Sequence, residues 1–234
     1  LLSVLQTEQL DLPARCPRGT VVPDGRLDLC KQAIGYGGTA AVIRKLLETK
    51  GRHPVTSVLL GTNAIRDMGA FEVARLIRSD PKITTIYLGC NDIREDGVKE
   101  IADAVKHTDR LLALWLKRNP IGRNGAAHIA DALLVNQSLR TLDLVNTGIG
   151  NPGLRVLVDS LNKRTRRLDR FDFGGNGTNA EGAHIVADLI TGPGCPLSLS
   201  IAVSRLGDQG ATIIGEALAE SSVLQDLRLT SGNI

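Results

Sequence analysis

The chain has 234 residues, 42% hydrophobic and 23% charged, the balance of a folded protein rather than a disordered one. Its formal charge of +3 is too small to argue for a nucleic-acid or anionic-membrane partner, and no apolar run reaches the roughly 18 residues of a membrane span. With one Trp, two Tyr and three Phe, the core has to be built from Leu, Ile, Val and Ala.

The opening "LLSVLQTEQL" has neither an initiator Met nor the basic start and long apolar stretch of a signal peptide, and is read as lying inside a longer protein. Residues 1–23 carry no periodic pattern and are expected to form an N-terminal capping segment. The first structured phrase is "RLDLCKQAI" (26–34), and "AAVIRKLLE" after it has helical periodicity. Between them, "GYGGTA" (35–40) has the spacing of a dinucleotide-binding fingerprint. That fingerprint also needs an acidic residue closing the next strand, and "TSVLLGTN" ends in Gly61, Thr62 and Asn63. No cofactor is expected.

From there one phrase recurs. "VTSVLLGTNAI", "ITTIYLGCNDI" and "LLALWLKRNPI" place Asn63, Asn91 and Asn119 at equal intervals (91 − 63 = 119 − 91 = 28). The phrase returns as "LRTLDLVNTGI" (139–149), "LDRFDFGGNGT" (168–178), "PLSLSIAVSRL" (196–206) and "LQDLRLTSGNI" (224–234). Each alternates as a strand does, so that Leu114 and Leu116 point inward and Trp115 outward. A glycine follows at a fixed offset (Gly69, Gly97, Gly125, Gly153, Gly182, Gly210), and then a helical apolar pattern such as Ile101, Ala102 and Val105. The step from Thr147 to Asn176 is one residue longer, with the insertion near "NKRTRR", and "TGPGCP" (191–196) should end its helix early. Thr147, Ser204 and Gly232 replace the recurrent Asn. A hydroxyl can do part of its work and glycine none, so local rearrangement is expected there.

The phrase L-x-x-L-x-L-x-x-N-x-L, with this period and a full helix after each strand, resembles the ribonuclease-inhibitor type of leucine-rich repeat. Ran GTPase-activating proteins and the sensor domains of NOD-like receptors share that type. The resemblance covers about residues 24–234 and implies an α/β solenoid, a curved horseshoe with parallel strands on its concave face and helices on its convex face. It also implies that the recurrent Asn bonds backbone groups between repeats. The chain stops at Ile234 with the seventh such strand just made, so truncation of the repeat domain at its C-terminus is expected.

Little in the sequence suggests chemistry. Cys16, Cys30, Cys90 and Cys195 are widely spaced, which argues against zinc; a Cys16–Cys30 disulfide would fit a secreted protein, and reduced thiols fit a cytoplasmic one, the localisation expected here. His53, His107, His128 and His184 are read as surface residues, the last two on convex helices, with no partners that would make a catalytic triad. No P-loop, G-x-S-x-G or H-E-x-x-H occurs, and neither an enzyme nor a metal site is expected. "NQS" (136–138) and "NGT" (176–178) match glycosylation acceptors, although Asn176 should be buried. The basic run Lys163, Arg164, Arg166, Arg167 and Arg170 is read as a solvated loop.

The outer face of the strands is more informative. Its central position runs Asp28, Leu59, Tyr87, Trp115, Asp143, Asp172, Ser200 and Arg228. Leu59, Tyr87 and Trp115 then form an apolar stripe; Lys117 shares their face, Arg118 and Arg140 are expected beside it, and Asp143, Asp169 and Asp172 come next. Aromatics beside Lys and Arg make up protein-binding hot spots, with Lys117 expected over Trp115 in a cation–π contact. The competing account is that outward aromatics favour strands and cover Gly61 and Gly89. The sequence therefore predicts a non-catalytic protein-binding domain whose partner contacts centre on Leu59, Tyr87, Trp115, Lys117, Arg118, Arg140, Asp143 and Asp172. Two alternatives come from the resemblance: regulation of a small GTPase, whose family's strongly acidic C-terminal segment does not occur in these residues, or ligand sensing within a larger receptor.

Overall fold

Alternation of period two and apolar spacing of period 3.6 divide the chain into strand–helix units, and the computed structural model, which describes residues 1–230, shows them in that order. A 3-10 turn at Val4–Gln6 leads into β1 (Ala14–Arg15), β2 (Thr20–Val21) and β3 (Arg26–Asp28). Then come α1 (Gly35–Glu48), β4 (Ser57–Leu59), α2 (Arg66–Ser79), β5 (Thr85–Tyr87), α3 (Glu95–Lys106), β6 (Ala113–Trp115) and α4 (Gly122–Val135). The series ends with β7 (Thr141–Asp143), α5 (Gly150–Leu161), β8 (Arg170–Asp172), α6 (Ala180–Thr191), β9 (Ser198–Ser200), α7 (Gly207–Glu220) and β10 (Asp226–Arg228). As the glycines and prolines of "TGPGCP" indicate, α6 stops at Thr191.

All ten strands form one sheet in chain order. β1, β2 and β3 pair antiparallel and every later pair is parallel, which the intervening helices permit. The pairing is unbroken across the longer step, where Thr141 lies opposite Arg170. Strands stack at about 4.8 Å and helices need roughly 8–10 Å, so a one-strand, one-helix repeat must curve with its strands inside.

The core lies between the layers. Val58, Ile86, Leu114, Leu142, Phe171 and Leu199, the middle residues of β4 to β9, are all buried, as are Leu60, Leu88, Leu116, Leu144, Phe173 and Ile201 two positions on. The Phe171 and Phe173 rings, 5.0 Å apart, fill the core at the irregular repeat. Close helix spacing depends on small residues: a Cβ on Gly97 would run into Asp67 and Ala70 of α2, and one on Gly125 into Val98 of α3. Asp67 also accepts the backbone N–H groups of Arg94 (2.7 Å) and Gly97 (3.1 Å), capping α3 from the preceding repeat.

The recurrent asparagines knit the repeats together. Asn119 donates from Nδ2 to Leu116 O (2.8 Å) and to Leu88 O of the previous repeat (2.9 Å), and its Oδ1 accepts from Asn91 N (3.0 Å) and Ile93 N (3.1 Å). Asn63, Asn91 and Asn176 likewise donate from Nδ2 to a carbonyl of their own repeat and to one of the repeat before. At the variant positions a hydroxyl keeps the bond within its own repeat, Thr147 Oγ1 to Leu144 O (2.7 Å) and Ser204 Oγ to Ile201 O (2.6 Å), and loses the one back to the previous repeat; Thr147 Oγ1 also lies 3.2 Å from Asn176 Oδ1 of the next. The acceptor missing at 147 is felt one repeat earlier: Ile121 N–H, equivalent to Ile93 N–H, turns back onto Asn119 O at 2.8 Å. Gly232, the third variant, lies outside the described residues.

A second polar column, Asp80, Thr108, Asn136 and Arg164, is buried where each of four helices meets the loop to the next strand. It corrects two expectations. His53 is not on the surface: it is fully buried, its Nε2 is 2.7 Å from Asp80 Oδ2, and its Nδ1 accepts from Val55 N at 3.1 Å. Because Val55 must donate, Nδ1 carries no proton and the ring hydrogen sits on Nε2, facing the carboxylate. Arg164 is not part of a solvated loop either. It is 5% exposed and its guanidinium donates to Asn136 O (2.9 Å) and Leu139 O (3.2 Å), closing carbonyls that water cannot reach. Burial, with Arg140 nearby, pulls its pKa down to about 10. Lys163, Arg166 and Arg167 do remain exposed.

Candidate functional site

Helices cover one face of the sheet and leave the other face and its rims open. The parallel register places Leu59 opposite Tyr87, Tyr87 opposite Trp115, Trp115 opposite Asp143 and Asp143 opposite Asp172. The outward row read from the sequence is therefore one continuous row in space. Leu59, Tyr87 and Trp115 are each half-buried, forming an apolar stripe across three strands.

Tyr87 lies down along the sheet rather than standing up from it. A Cβ on Gly61 or on Gly89 would collide with its ring or hydroxyl, so those glycines form the bed for the phenol. Lys117 Nζ sits 5.4 Å from the centre of the Tyr87 ring. The cation–π partner is thus Tyr87 and not Trp115, because the ring that lies flat is the one that offers its face to the lysine chain.

Asp143 and Asp172 depart further from expectation. They are 5% and 4% exposed, sunk beside the bulkier stripe instead of standing as free charges. Asp143 accepts from Val145 N at 2.9 Å, and Asp172 Oδ2 is held by Arg170 Nε at 2.7 Å. Asp172 Oδ1 is buried with no hydrogen-bond partner among the described residues. Desolvation, reinforced by the neighbouring Asp172 charge, pushes the Asp143 carboxyl up to about 6, against the opposing pull of its Val145 bond, Lys117 and Arg170.

Arg118 and Arg140 do not meet at the stripe. Each is three residues along the chain from the central row, in opposite directions, about 10 Å at strand rise. Arg140 is at the amino end, where its guanidinium reaches Arg167 O (3.4 Å) and Asp169 (3.8 Å). Arg118 is at the carboxyl end, exposed, in a left-handed turn with φ 55°. The same turn recurs at Lys31, Thr62, Cys90, Asn146, Gly175 and Val203, so one residue per repeat is turned out along this rim. Beyond Arg118, Asn146, Gly175 and Val203, with Val145, Gly177 and Arg205, line a cavity of about 530 Å³. Sequence reading missed this rim, since Lys, Thr, Cys, Arg, Asn and Val give no sign of a shared left-handed backbone.

All four cysteines are free, and burial raises the Cys30 thiol to about 11, away from thiolate reactivity. Asn136 and Asn176, the asparagines of the two glycosylation-like triplets, are both buried with their amides engaged. Among the described residues there is no group of three or more metal-ligating side chains, and no helix long and apolar enough to cross a membrane.

A leucine-rich repeat family profile matches residues 79–102 and 135–158. No curated protein matches the chain in sequence. Solved structures resembling it include LegL7, a leucine-rich repeat-containing protein of Legionella pneumophila, with TM-score 0.59 and 15% identity over 88% of this chain and 66% of that one. The tropomodulin C-terminal domain of Caenorhabditis elegans gives TM-score 0.52 and 13% identity over 78% of this chain and 92% of that one. A protein of Bacteroides fragilis gives TM-score 0.52 and 12% identity over 82% and 61% respectively. At these identities the likeness is one of fold: an α/β leucine-rich repeat solenoid.

Proposed function

We propose that this leucine-rich repeat chain is a non-catalytic domain that binds another protein through the open face of its sheet. Residues 24–234 form the repeat body in this reading, and 1–23 its cap. One observation carries it: Leu59, Tyr87 and Trp115 make a continuous, partly exposed apolar stripe at one register of three paired strands, with a lysine over the tyrosine. Half-buried aromatics beside a cation are what anchors at protein interfaces are made of. The stripe also splits into two roles. Tyr87, bedded on Gly61 and Gly89, is chiefly a packing residue, which leaves Trp115 and Leu59 as the anchors. Lys117 borders them, and Arg118 and Arg140 mark the two opposite rims. Asp143 and Asp172 act less as direct contacts than as the buried floor beside Trp115.

The non-catalytic reading rests on burial. The one His–carboxylate pair within 3 Å among the described residues, His53 with Asp80, is closed to any substrate. The test is retention of proteins from a lysate of the source cells on the wild-type domain, on Trp115→Ala and Leu59→Ala, and on Met68→Ala of the opposite, helical face. An anchor typically contributes 2 kcal/mol or more, so a retained protein should lose about 30-fold in affinity on Trp115→Ala and nothing on Met68→Ala. Equal retention by all baits would sink the reading.

A further inference from the structure

At the carboxyl ends of β6 to β9 the left-handed turns leave an open trough along the rim. Arg118 stands at one end and Arg205 at the other, with Val145, Asn146, Gly175, Gly177 and Val203 between them around the cavity of about 530 Å³. A second cavity of about 500 Å³, lined partly by Arg118 and Asn146, continues it towards the start of α4. No carboxylate lines either cavity among the described residues. Among the described residues neither Arg118 nor Arg205 is in an ion pair, whereas Arg78, Arg155 and Arg170 are held by carboxylates at 2.6–2.7 Å. Two free guanidinium groups facing one trough make it electropositive against a chain of net charge only +3.

The spacing narrows the ligand. From the turn of Arg118 to that of Arg205 is three strand intervals, about 14 Å at 4.8 Å each. One phosphate cannot bridge that distance, whereas an extended peptide covers it in about four residues. The middle of the trough suits a small apolar side chain: Val203 is 62% exposed, Val145 is half-buried, and a Cβ built on Gly177 would meet nothing within 4 Å. The backbone beneath is fixed, with Arg118 N bonded to Val145 O (2.8 Å), Asn146 N to Gly174 O (2.8 Å) and Arg205 N to Thr178 O (2.7 Å), so the trough needs no folding to form.

We propose that this rim trough is an acidic-peptide subsite: an extended segment of the partner protein lies along it, one carboxylate on Arg118, a second about four residues on at Arg205, and an apolar residue between them against Val145 and Val203. The proposal rests on the protein-binding reading and adds the chemical class of the partner's segment. Carboxylates suit the two ends because a guanidinium pairs with a carboxylate through two parallel hydrogen bonds.

The probe is the capped pentapeptide Glu-Gly-Leu-Gly-Glu, with its Gln-Gly-Leu-Gly-Gln counterpart, titrated into the isotopically labelled full chain and followed by amide chemical shifts. The acidic peptide should move Arg118, Asn146, Gly175, Gly177 and Arg205 and bind less well as salt rises. The Gln peptide should bind at least 10-fold more weakly. Arg118→Gln and Arg205→Gln, both at exposed positions, should each weaken the acidic peptide at least fivefold, with the shifts elsewhere unchanged as proof of folding. Equal binding of the two peptides, shifts centred away from the trough, or indifference to both arginine variants would overturn the proposal. Trp115→Ala separates this result from the parent reading. It should leave pentapeptide binding intact, so loss of whole-partner retention with an intact peptide site supports both proposals. Whole-partner retention that survives Trp115→Ala counts against the stripe alone.

Discussion

Replacing Asp143 by Asn should make the protein more stable at neutral pH and leave it unchanged in acid. The Asp143 carboxyl rises from an ordinary 3.8 to about 6 because burial, and then the Asp172 charge, disfavours its ionised form. The folded state therefore holds that proton more tightly than the unfolded chain does. Below about pH 4 both states are protonated and the site costs nothing. As pH climbs from about 4 to about 6 the unfolded chain ionises first, and stability is lost across that window. Above it the deficit is complete, about 2 pKa units or ~3 kcal/mol as an upper figure. Asn would keep the acceptor for Val145 N–H and offer an amide N–H toward Asp172, whose Oδ1 is unpartnered among the described residues. We expect Asp143→Asn to gain about 1–3 kcal/mol at pH 7.5 and nothing at pH 4. Urea unfolding at both pH values measures this, followed by the fluorescence of Trp115, the sole tryptophan and the strand neighbour of Asp143. A variant destabilised at pH 7.5, or stabilised equally at both pH values, would show that ionising Asp143 carries no such cost.

Three further outcomes follow from the packing. Asn91→Ala removes two donors to Leu60 O and Leu88 O and the acceptor of Asn63 N–H, all buried, and should cost about 3–4 kcal/mol in urea unfolding at neutral pH; a loss below about 1 kcal/mol would show that the asparagine column is dispensable. His53→Ala leaves Asp80 Oδ2 without its Nε2 donor in the core, beside the cavity of the missing ring, and should cost about 2–4 kcal/mol. The double replacement with Asp80→Asn should recover part of that loss, and strict additivity of the two single effects would deny the coupling. Gly125→Val puts methyl groups where Val98 and Ile121 already sit, and should lower the thermal midpoint by several degrees through forced separation of α3 and α4, about 1–3 kcal/mol of overpacking; an unchanged midpoint would mean that the helices are not in close contact there.

How much of this was legible in the sequence depends on the range of each signal. Strand register was legible because alternation is local and the period repeats: the row from Asp28 through Tyr87 and Trp115 to Arg228 is the row the pairing shows. The bonding at Thr147 could likewise be anticipated, since a hydroxyl has one proton to donate where an amide has two. The burial of Asp143 and Asp172 depends on side chains on adjacent strands, a full repeat away in sequence, and alternation alone cannot say whether an outward position is covered. The choice of Tyr87 over Trp115 by Lys117 turns on which ring lies flat, which the glycines at 61 and 89 decide. His53 and Arg164 were misplaced for want of a comparison across repeats. Asp80, Thr108, Asn136 and Arg164 follow their key residues at one fixed offset and are all polar, a signal that a second alignment column would have revealed.

Whether the open face is the working surface can be decided by site-specific crosslinking. A photoreactive phenylalanine analogue would be placed at position 85, where Thr85 is half-buried on the open face two residues before Tyr87, and separately at position 68 of α2, where Met68 is 53% exposed on the helical face. Each protein, with its anchors Leu59 and Trp115 intact, would be irradiated in a lysate of the source cells. Binding through the stripe predicts a discrete adduct from position 85, suppressed by excess unmodified domain, and none from position 68. An adduct at position 68 without one at position 85 would contradict it, placing the partner on the helices instead.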